Sequence, residues 1–335
     1  MSKRLLFPTV ALALALAGAG CNKSGKLSTP STMPTPTGPV ELKLKWTPGE
    51  RVVQSLDIKQ TMKMNLPGQA APIEQDMTMG EQYALTVLGK DPAGGHEVEM
   101  EFLSARMGME MGGKTILDFD STKRSSAGNT NPVAGVFEKL VGSKIRFFLD
   151  ASNKVERIEG IDGLVNRLSA GGQAAAAAPL KGMFNDGYFK QMMSSSLFLP
   201  SRPVQPGDTW PVQLEFPLGD FGVMALDYAV AFQCWEMHGK RNCARLEFQG
   251  NIKSKPGQNP GQNGMAITIQ DGKCAGVSWF DPELGIIVET TMNQDVTMIM
   301  SLPINLRGSQ GAAGRMQTIT NQMSQLLTTK LDSLK

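Results

Sequence analysis

From residue 56 the chain alternates between apolar and polar side chains. In LDIKQTMKMNL, Leu56, Ile58, Met62, Met64 and Leu66 share one side of an extended strand, while Asp57, Lys59, Thr61, Lys63 and Asn65 share the other. PGQAAP reads as a turn, and IEQDMTMGEQYALTV returns with Ile73, Met77, Met79, Tyr83, Leu85 and Val87 in one register. Period two over such lengths predicts antiparallel strands with one face on a core and the other in water. The third segment, EVEMEFLSARMGMEM, changes parity: Val98, Met100 and Phe102 are even, whereas Leu103, Ala105, Met107, Met109 and Met111 are odd. That switch predicts a β-bulge near Phe102–Leu103, which would bend the sheet. Gln60, Gln75 and Glu81 fall in the apolar registers, where polar groups need partners if buried, so a partly wet interior or a sheet edge fits better than a dry core.

The middle of the chain follows another period. NPVAGVFEKLVG (131–142) carries Val133, Val136, Phe137 and Leu140 at helical spacing behind Asn131 and Pro132, a helix start. IRFFLDASNKVERIEG predicts a hairpin around Ser152–Asn153. Residues 161–169 and 179–195 read as helices joined by the loop QAAAAAP, with Leu180, Met183, Phe184, Met192 and Met193 as the buried stripe of the last one. From Val204 onward β-branched and aromatic residues return in PGDTWPVQLEF, ALDYAVAFQCWEM, NCARLEFQGNI, GVSWFDPELGIIVETTM and VTMIMSLP, all predicted strands. TMKMNLP (61–67) and TMIMSLP (297–303) are nearly the same heptad, each ending a long strand. The tail MQTITNQMSQLLTTKLDSL fits either a helix or a returning strand, and its threonines favour the strand. The expected fold is mainly β: a curved antiparallel sheet or half-open barrel of long strands, with about three helices inserted midway.

The N-terminus, MSKRLLFPTVALALALAGAGC, has a positive pair at Lys3 and Arg4, an apolar run from Leu5 to Leu16, and small residues from Ala17 to Gly20. This is a secretory signal, too short to span a membrane stably. Small residues ending on Cys21 resemble the lipobox of bacterial lipoproteins, although Gly18 stands where leucine is usual. The resemblance implies that Cys21 is acylated and becomes the first mature residue, and Asn22 behind it implies the outer membrane. Residues 22–40 are rich in Ser, Thr and Pro, and are expected to form a tether reaching ~50 Å at ~3 Å per residue. The division expected is therefore a signal at 1–20, lipidated Cys21 and tether at 21–40, and one β-domain at 41–335 with a helical insert at about 131–195. Removing Lys3 and Arg4 from the 33 basic residues leaves 31, equal to the 31 acidic ones. A neutral mature chain has no electrostatic footprint for nucleic acid.

GMEMGGKT (108–115) matches the phosphate-loop pattern literally, but such a loop needs a strand before it and a helix after it. Here ILDFDS follows, another strand, so Met111–Lys114 is expected to be a hairpin turn and no nucleotide is expected. Only two histidines occur, His96 and His238, both in turn-like contexts and expected to be exposed. No H-E-x-x-H, G-x-S-x-G or dinucleotide glycine fingerprint is present. The expectation is a protein that is not an enzyme and needs no cofactor. A two-residue turn at His238–Gly239 would bring Cys234 opposite Cys243, close enough for a disulfide in an oxidising compartment. Cys274 is then the odd thiol.

Methionine is unusually frequent, with 21 in the chain, and it recurs as M-x-M at Met62/Met64, Met77/Met79, Met107/Met109 and Met298/Met300. Thioether side chains fill irregular cores, line adaptable cavities for lipids, or bind Cu(I) as soft ligands. Neither histidine adjoins an M-x-M pair, which weighs against copper.

LKLKWTPGERVVQSLDIKQTM near the start, PGDTWPV after the helices and FDPELGIIVETTM near the end resemble a family of uncharacterised bacterial surface lipoproteins. The resemblance covers most of residues 41–335 and implies no known activity. In its order of elements the chain is also similar to the half-barrel carriers and receptors of lipoprotein transport, in which helices cover a concave apolar face and an acyl chain binds between. Two functions follow as expectations. One is a lipid-anchored binding protein whose paired methionines line a site for an apolar ligand. The other is a structural or assembly partner of the envelope.

Overall fold

The computed structural model describes residues 30–335 apart from 33, 92–93, 124–131, 171–184, 194–197, 218–222, 256–265 and 305–314. The signal, Cys21, the alanine-rich loop, and Leu180, Met183 and Phe184 lie outside the described residues. Strands β1 (Arg51–Asn65), β2 (Ile73–Lys90), β3 (His96–Met111) and β4 (Lys114–Asp120) come first. Helix α1 (Pro132–Leu140), β5 (Lys144–Leu149), β6 (Val155–Glu159), α2 (Ile161–Ser169) and α3 (Asp186–Met192) form the middle. Then come β7 (Thr209–Pro217), β8 (Val223–His238), β9 (Arg241–Ser254), β10 (Ala266–Asp281), β11 (Ile286–Ile304) and β12 (Arg315–Leu334). The tail is thus a strand.

All twelve strands belong to one antiparallel sheet in the order β6-β5-β3-β2-β1-β12-β11-β10-β9-β8-β7, with β4 paired to the far half of β3. The first and last long strands meet at its centre, where Ile58 pairs with Leu327 and Met62 with Met323. The two similar heptads flank β12 from either side: Met64 and Met298 both face Asn321. The predicted bulge is there, since Gln82 faces Ser104 and Tyr83 faces Phe102, leaving Leu103 over. Gly112 (φ 56°) and Gly113 (φ 73°) close the β3–β4 hairpin in the left-handed region, as a tight turn matching strand twist requires. The phosphate-loop match is therefore a turn between two strands.

The sheet curls on itself. Helix α3 packs against both β6 and β7, the two outermost strands of the order, and so bridges the gap between its edges. Phe189 of α3 meets Phe147 of β5 with ring centroids 6.3 Å apart, and Phe198 meets Phe248 of β9 edge-on at 5.1 Å. Trp210 on β7 donates its ring N–H to the Phe198 carbonyl at 3.0 Å, which pins the segment after α3 to that edge. Helix α1 buries Ala134, Val136, Phe137 and Leu140, and α2 buries Leu164 and Leu168. Each large side chain so buried contributes about 1.5–3 kcal/mol, which holds these short helices to the sheet. One continuous core results, running from Leu42 to Leu331.

Residues 30–46 do not behave as a free tether. Val40 bridges to Val204, Leu42 is buried, and the Lys45 amine donates to the carbonyls of Pro282 (2.7 Å) and Glu283 (3.1 Å). Farther back, Ser31 Oγ and the Thr32 amide donate to Glu283 at 2.8 and 3.0 Å, and Asn242 donates to Thr35 Oγ1 at 3.0 Å. The expectation of a spacer running to residue 40 is corrected: this half of it is a strap across one end of the curled sheet. Serine and threonine hydroxyls docked on a carboxylate explain how so polar a stretch binds to the body.

Candidate functional site

At the strap's end of the fold lies a cavity of about 100 Å³. Leu56 of β1, Leu85 of β2 and Met100 of β3 wall it on one side, and Tyr228 of β8 and Phe248 of β9 on the other. Leu44 and Trp46 of the strap, Ile286 and Ile287 of β11, and Met192, Met193 and Phe198 around α3 add to a mostly apolar lining, to which Gln54, Ser278 and Thr329 bring polar groups. No Lys, Arg, Asp or Glu lines it. Sheet geometry aims the two aromatic walls: a Cβ at Gly276 would collide with the Phe248 ring, and one at Gly250 with the Tyr228 ring. Glycines thus let both rings lie over the neighbouring strand and against each other, 5.8 Å apart.

The polar groups at this cavity fall into two kinds. Tyr83 Oη donates to Gln54 Oε1 at 3.0 Å and is satisfied. Trp46 Nε1, Tyr228 Oη and Thr290 Oγ1 are buried without a hydrogen-bond partner in the protein. Tyr228 is 4% exposed and Thr290 2%, so neither hydroxyl reaches bulk water. Burial raises the Tyr228 phenol well above its ordinary value, so it stays protonated and able to donate. Two residues before Tyr83, Glu81 is buried with Oε2 unpartnered, and burial lifts its carboxyl to about 7.

A clamp of charge closes the strap's end. Arg241 and Asp281 are buried against each other, and the Arg241 guanidinium reaches Glu283 at 2.9 Å. Asp281 also accepts from the amides of Glu283 (2.9 Å) and Leu284 (3.1 Å), which shapes the β10–β11 turn. The hydroxyls of Thr32 and Ser31, then the Arg241 charge, hold the Glu283 carboxyl down to about 2. On the outer face nearby, His238 stacks on Trp279 (4.3 Å) and hydrogen-bonds Glu289 at 3.0 Å. Burial pushes the Glu289 carboxyl up, but the His238 hydrogen bond and the Lys330 charge bring it below its usual value. His238 and His96 are both half-buried, which corrects the expectation that they are exposed.

The paired methionines occupy one face of the sheet without lining this cavity. Met62, Met77, Met79, Met107 and Met298 are buried, while Met64, Met109 and Met300 are half-buried. Cross-strand partners are Met62 with Met323, Met77 with Met109, and Met79 with Met107. The methionines at the cavity are Met100, Met192 and Met193. Gln60, Gln325 and Gln294 lie side by side on β1, β12 and β11 within the same band, and Gln325 Nε2 donates to Gln60 Oε1 at 3.2 Å. The expected disulfide is not formed. The β8–β9 turn falls at Gly239–Lys240, one residue later than expected, so Cys234 faces Arg245 and Cys243 faces Glu236. Burial raises the Cys243 thiol and pushes that of Cys274 up to about 12. Among the described residues no group of three or more His, Cys, Asp or Glu could hold a metal ion, and no helix is long and apolar enough to cross a membrane.

Trp46, Tyr228 and Thr290 were not singled out by the sequence pattern. Tyr228 in ALDYAVAF and Thr290 in IIVETTM each put a hydroxyl into an apolar register, which is the one signal that marks them.

The fold and the cavity together define a curled antiparallel β-sheet with a mostly apolar interior and its own N-terminal strap packed across one end. The chain belongs to the family of unknown function DUF6263, which residues 93–287 match, more than half of its length. No curated protein matches it in sequence. Among solved structures it is similar to lipovitellin, in a structure of lipid–protein interactions, at 12% identity and a TM-score of 0.42. That match covers 87% of this chain, which spans only 26% of lipovitellin. It is also similar to an exported protein of Bacteroides fragilis with a YmcC-like fold, at 12% identity and a TM-score of 0.28, covering 88% and 100% of the two chains. A lipoprotein-sorting domain of the outer membrane from Vibrio parahaemolyticus matches at 13% identity and a TM-score of 0.11, covering 83% and 84%. At such scores none of these likenesses bears on what this chain does.

Proposed function

We propose that the chain is a lipid-anchored binding protein of the bacterial envelope, on the outer membrane, which performs no catalysis and holds an apolar ligand or the end of an acyl chain inside the curled sheet. The observation that carries this reading is the cavity inside the curl, lined mostly by apolar side chains and free of lining charge, with Gln54, Tyr83, Tyr228, Ser278, Thr290 and Thr329 as its polar members. A site of this kind binds by burial of apolar surface, with a few polar groups for orientation. Its volume admits a small ligand or a chain end. A longer chain is accommodated by movement of Met192 at the end of α3 and Met193 just after it, since unbranched thioethers repack readily. Export and anchoring rest on the signal and on Cys21. With Ser31 docked, at most about 35 Å of extended chain separates it from the lipidated residue, so the strap's end faces the membrane.

Native mass spectrometry of the full chain carrying Cys21→Ser tests this. Lipid-sized adducts surviving purification, and lost when Phe248 is replaced by Asp, are the expected result. A bare mass after incubation with envelope lipids would overturn it and leave an assembly role in the envelope. Copper-sized increments that disappear on Met62→Ser or Met77→Ser would move the site to the methionine band.

A further inference from the structure

Resting on that reading, we infer that the ligand carries a neutral hydrogen-bond acceptor, the carbonyl of an ester- or amide-linked acyl chain, received by the hydroxyls of Tyr228 and Thr290 and the ring N–H of Trp46. These three groups come from β8, β11 and the strap, and all of them border the one cavity. Each is buried with no partner in the protein. A buried donor left unpaired is costly, so a fold that keeps three at one small space stands to gain from whatever accepts from them there. Indole N–H can only donate, and a hydroxyl otherwise unpartnered is free to do so. The occupant therefore supplies acceptors.

Charge narrows the class further. With no Lys or Arg in the lining, no opposite charge offsets the desolvation of a carboxylate or phosphate, and three neutral donors repay only part of it. A free fatty-acid anion or a phosphate headgroup is thus disfavoured against the uncharged carbonyl of an ester or amide. The apolar part of the wall, Leu56, Phe248 and Ile287 among it, suits the methylenes next to such a carbonyl, while Tyr83 and Gln54 are paired with each other and Ser278 and Thr329 add hydroxyls.

The test uses the full chain with Cys21→Ser and displacement of a fluorescent apolar probe by octane, methyl hexanoate and hexanoate at pH 8. Wild-type protein is expected to bind methyl hexanoate at least tenfold more tightly than hexanoate. Tyr228→Phe and Thr290→Val, each nearly isosteric, should weaken the ester by about five- to tenfold and leave octane unchanged, with thermal unfolding as the check on folding. If both variants shift ester and octane alike, or shift neither, the hydroxyls serve ordered water and the acceptor assignment is overturned while the apolar site stands. Tight binding of hexanoate would overturn the neutral class. If neither octane nor the ester displaces the probe, the apolar-ligand reading fails and this one with it.

Discussion

Two stretches of one interior are built from similar residues to different ends. In the methionine band, side chains from β1, β2, β3, β11 and β12 meet across the sheet, and the glutamine row of Gln60, Gln325 and Gln294 is packed among them. At the strap's end, aromatic and branched residues leave a cavity, and the polar groups beside it include three donors without partners. The first region holds the two halves of the chain together. Beside that band opens a wider groove of about 540 Å³, but Lys59, Asp76 and Asp295 line it together with Met77 and the glutamines. The space at the strap's end is smaller, carries no lining charge and is bordered by unpartnered donors, which suits an uncharged apolar ligand.

The contrast can be broken at several points. Asp281→Ala leaves Arg241 buried beside a lost partner and is expected to cost about 3–5 kcal/mol, read as a lower urea midpoint, with ligand binding lost as the strap's end loosens. Met62→Ala is expected to cost about 2–5 kcal/mol through the cavity it leaves, yet to leave the affinity of an apolar probe unchanged. Met100→Ala, in the cavity wall, should cost as much and alter that affinity.

Glu81→Gln sharpens the comparison through pH. The folded carboxyl titrates near 7 against 4.5 for the ordinary group, so the folded state binds its proton more tightly. The stability it supports is full below pH 4.5 and falls as pH rises towards 7, by up to about 3 kcal/mol. In urea titrations across that range, Glu81→Gln should flatten the slope and leave the variant more stable than wild type at pH 8. An unchanged slope would place the pH dependence on another group.

The smallest effect is expected at the strap. Glu283→Gln weakens its hold on Ser31 and Thr32 and should speed amide exchange at Ser31, whose N–H bonds to Lys240 O, without moving the global midpoint. Because the Glu283 carboxyl is held at about 2, the wild-type latch is complete above pH 4.5 and released as pH falls towards 2.

Much of this fold was legible from alternation alone. The parity switch at Phe102–Leu103 located the bulge, because period two leaves no other way to keep one face buried. Gly112 and Gly113 located the turn, and the threonines of the tail favoured the strand it forms. Gln60, Gln75 and Glu81 face inward as their register predicts, but they are buried on interior strands of the sheet and not at its edge. What pattern could not give was anything set by contact across the curl. Tyr228 and Thr290 become neighbours of Trp46 only when the sheet closes, and no local period encodes that. The cysteine pairing failed for a smaller reason: moving a two-residue turn by one position moves every cross-strand partner by two. The strap failed because its composition suggests a solvated spacer, whereas Glu283 docks its hydroxyls and the Val40–Val204 bridge and buried Leu42 fix the rest, contacts that no local pattern encodes.

The most direct measurement is photo-crosslinking with a short acyl methyl ester carrying a diazirine beside its carbonyl, followed by peptide mapping of the full chain with Cys21→Ser. The expected adducts fall on Trp46, on β8 around Tyr228, and on Met192, Met193 and Phe198. Adducts confined to Met62, Met77 and Met323 would contradict the account and make the methionine band the site.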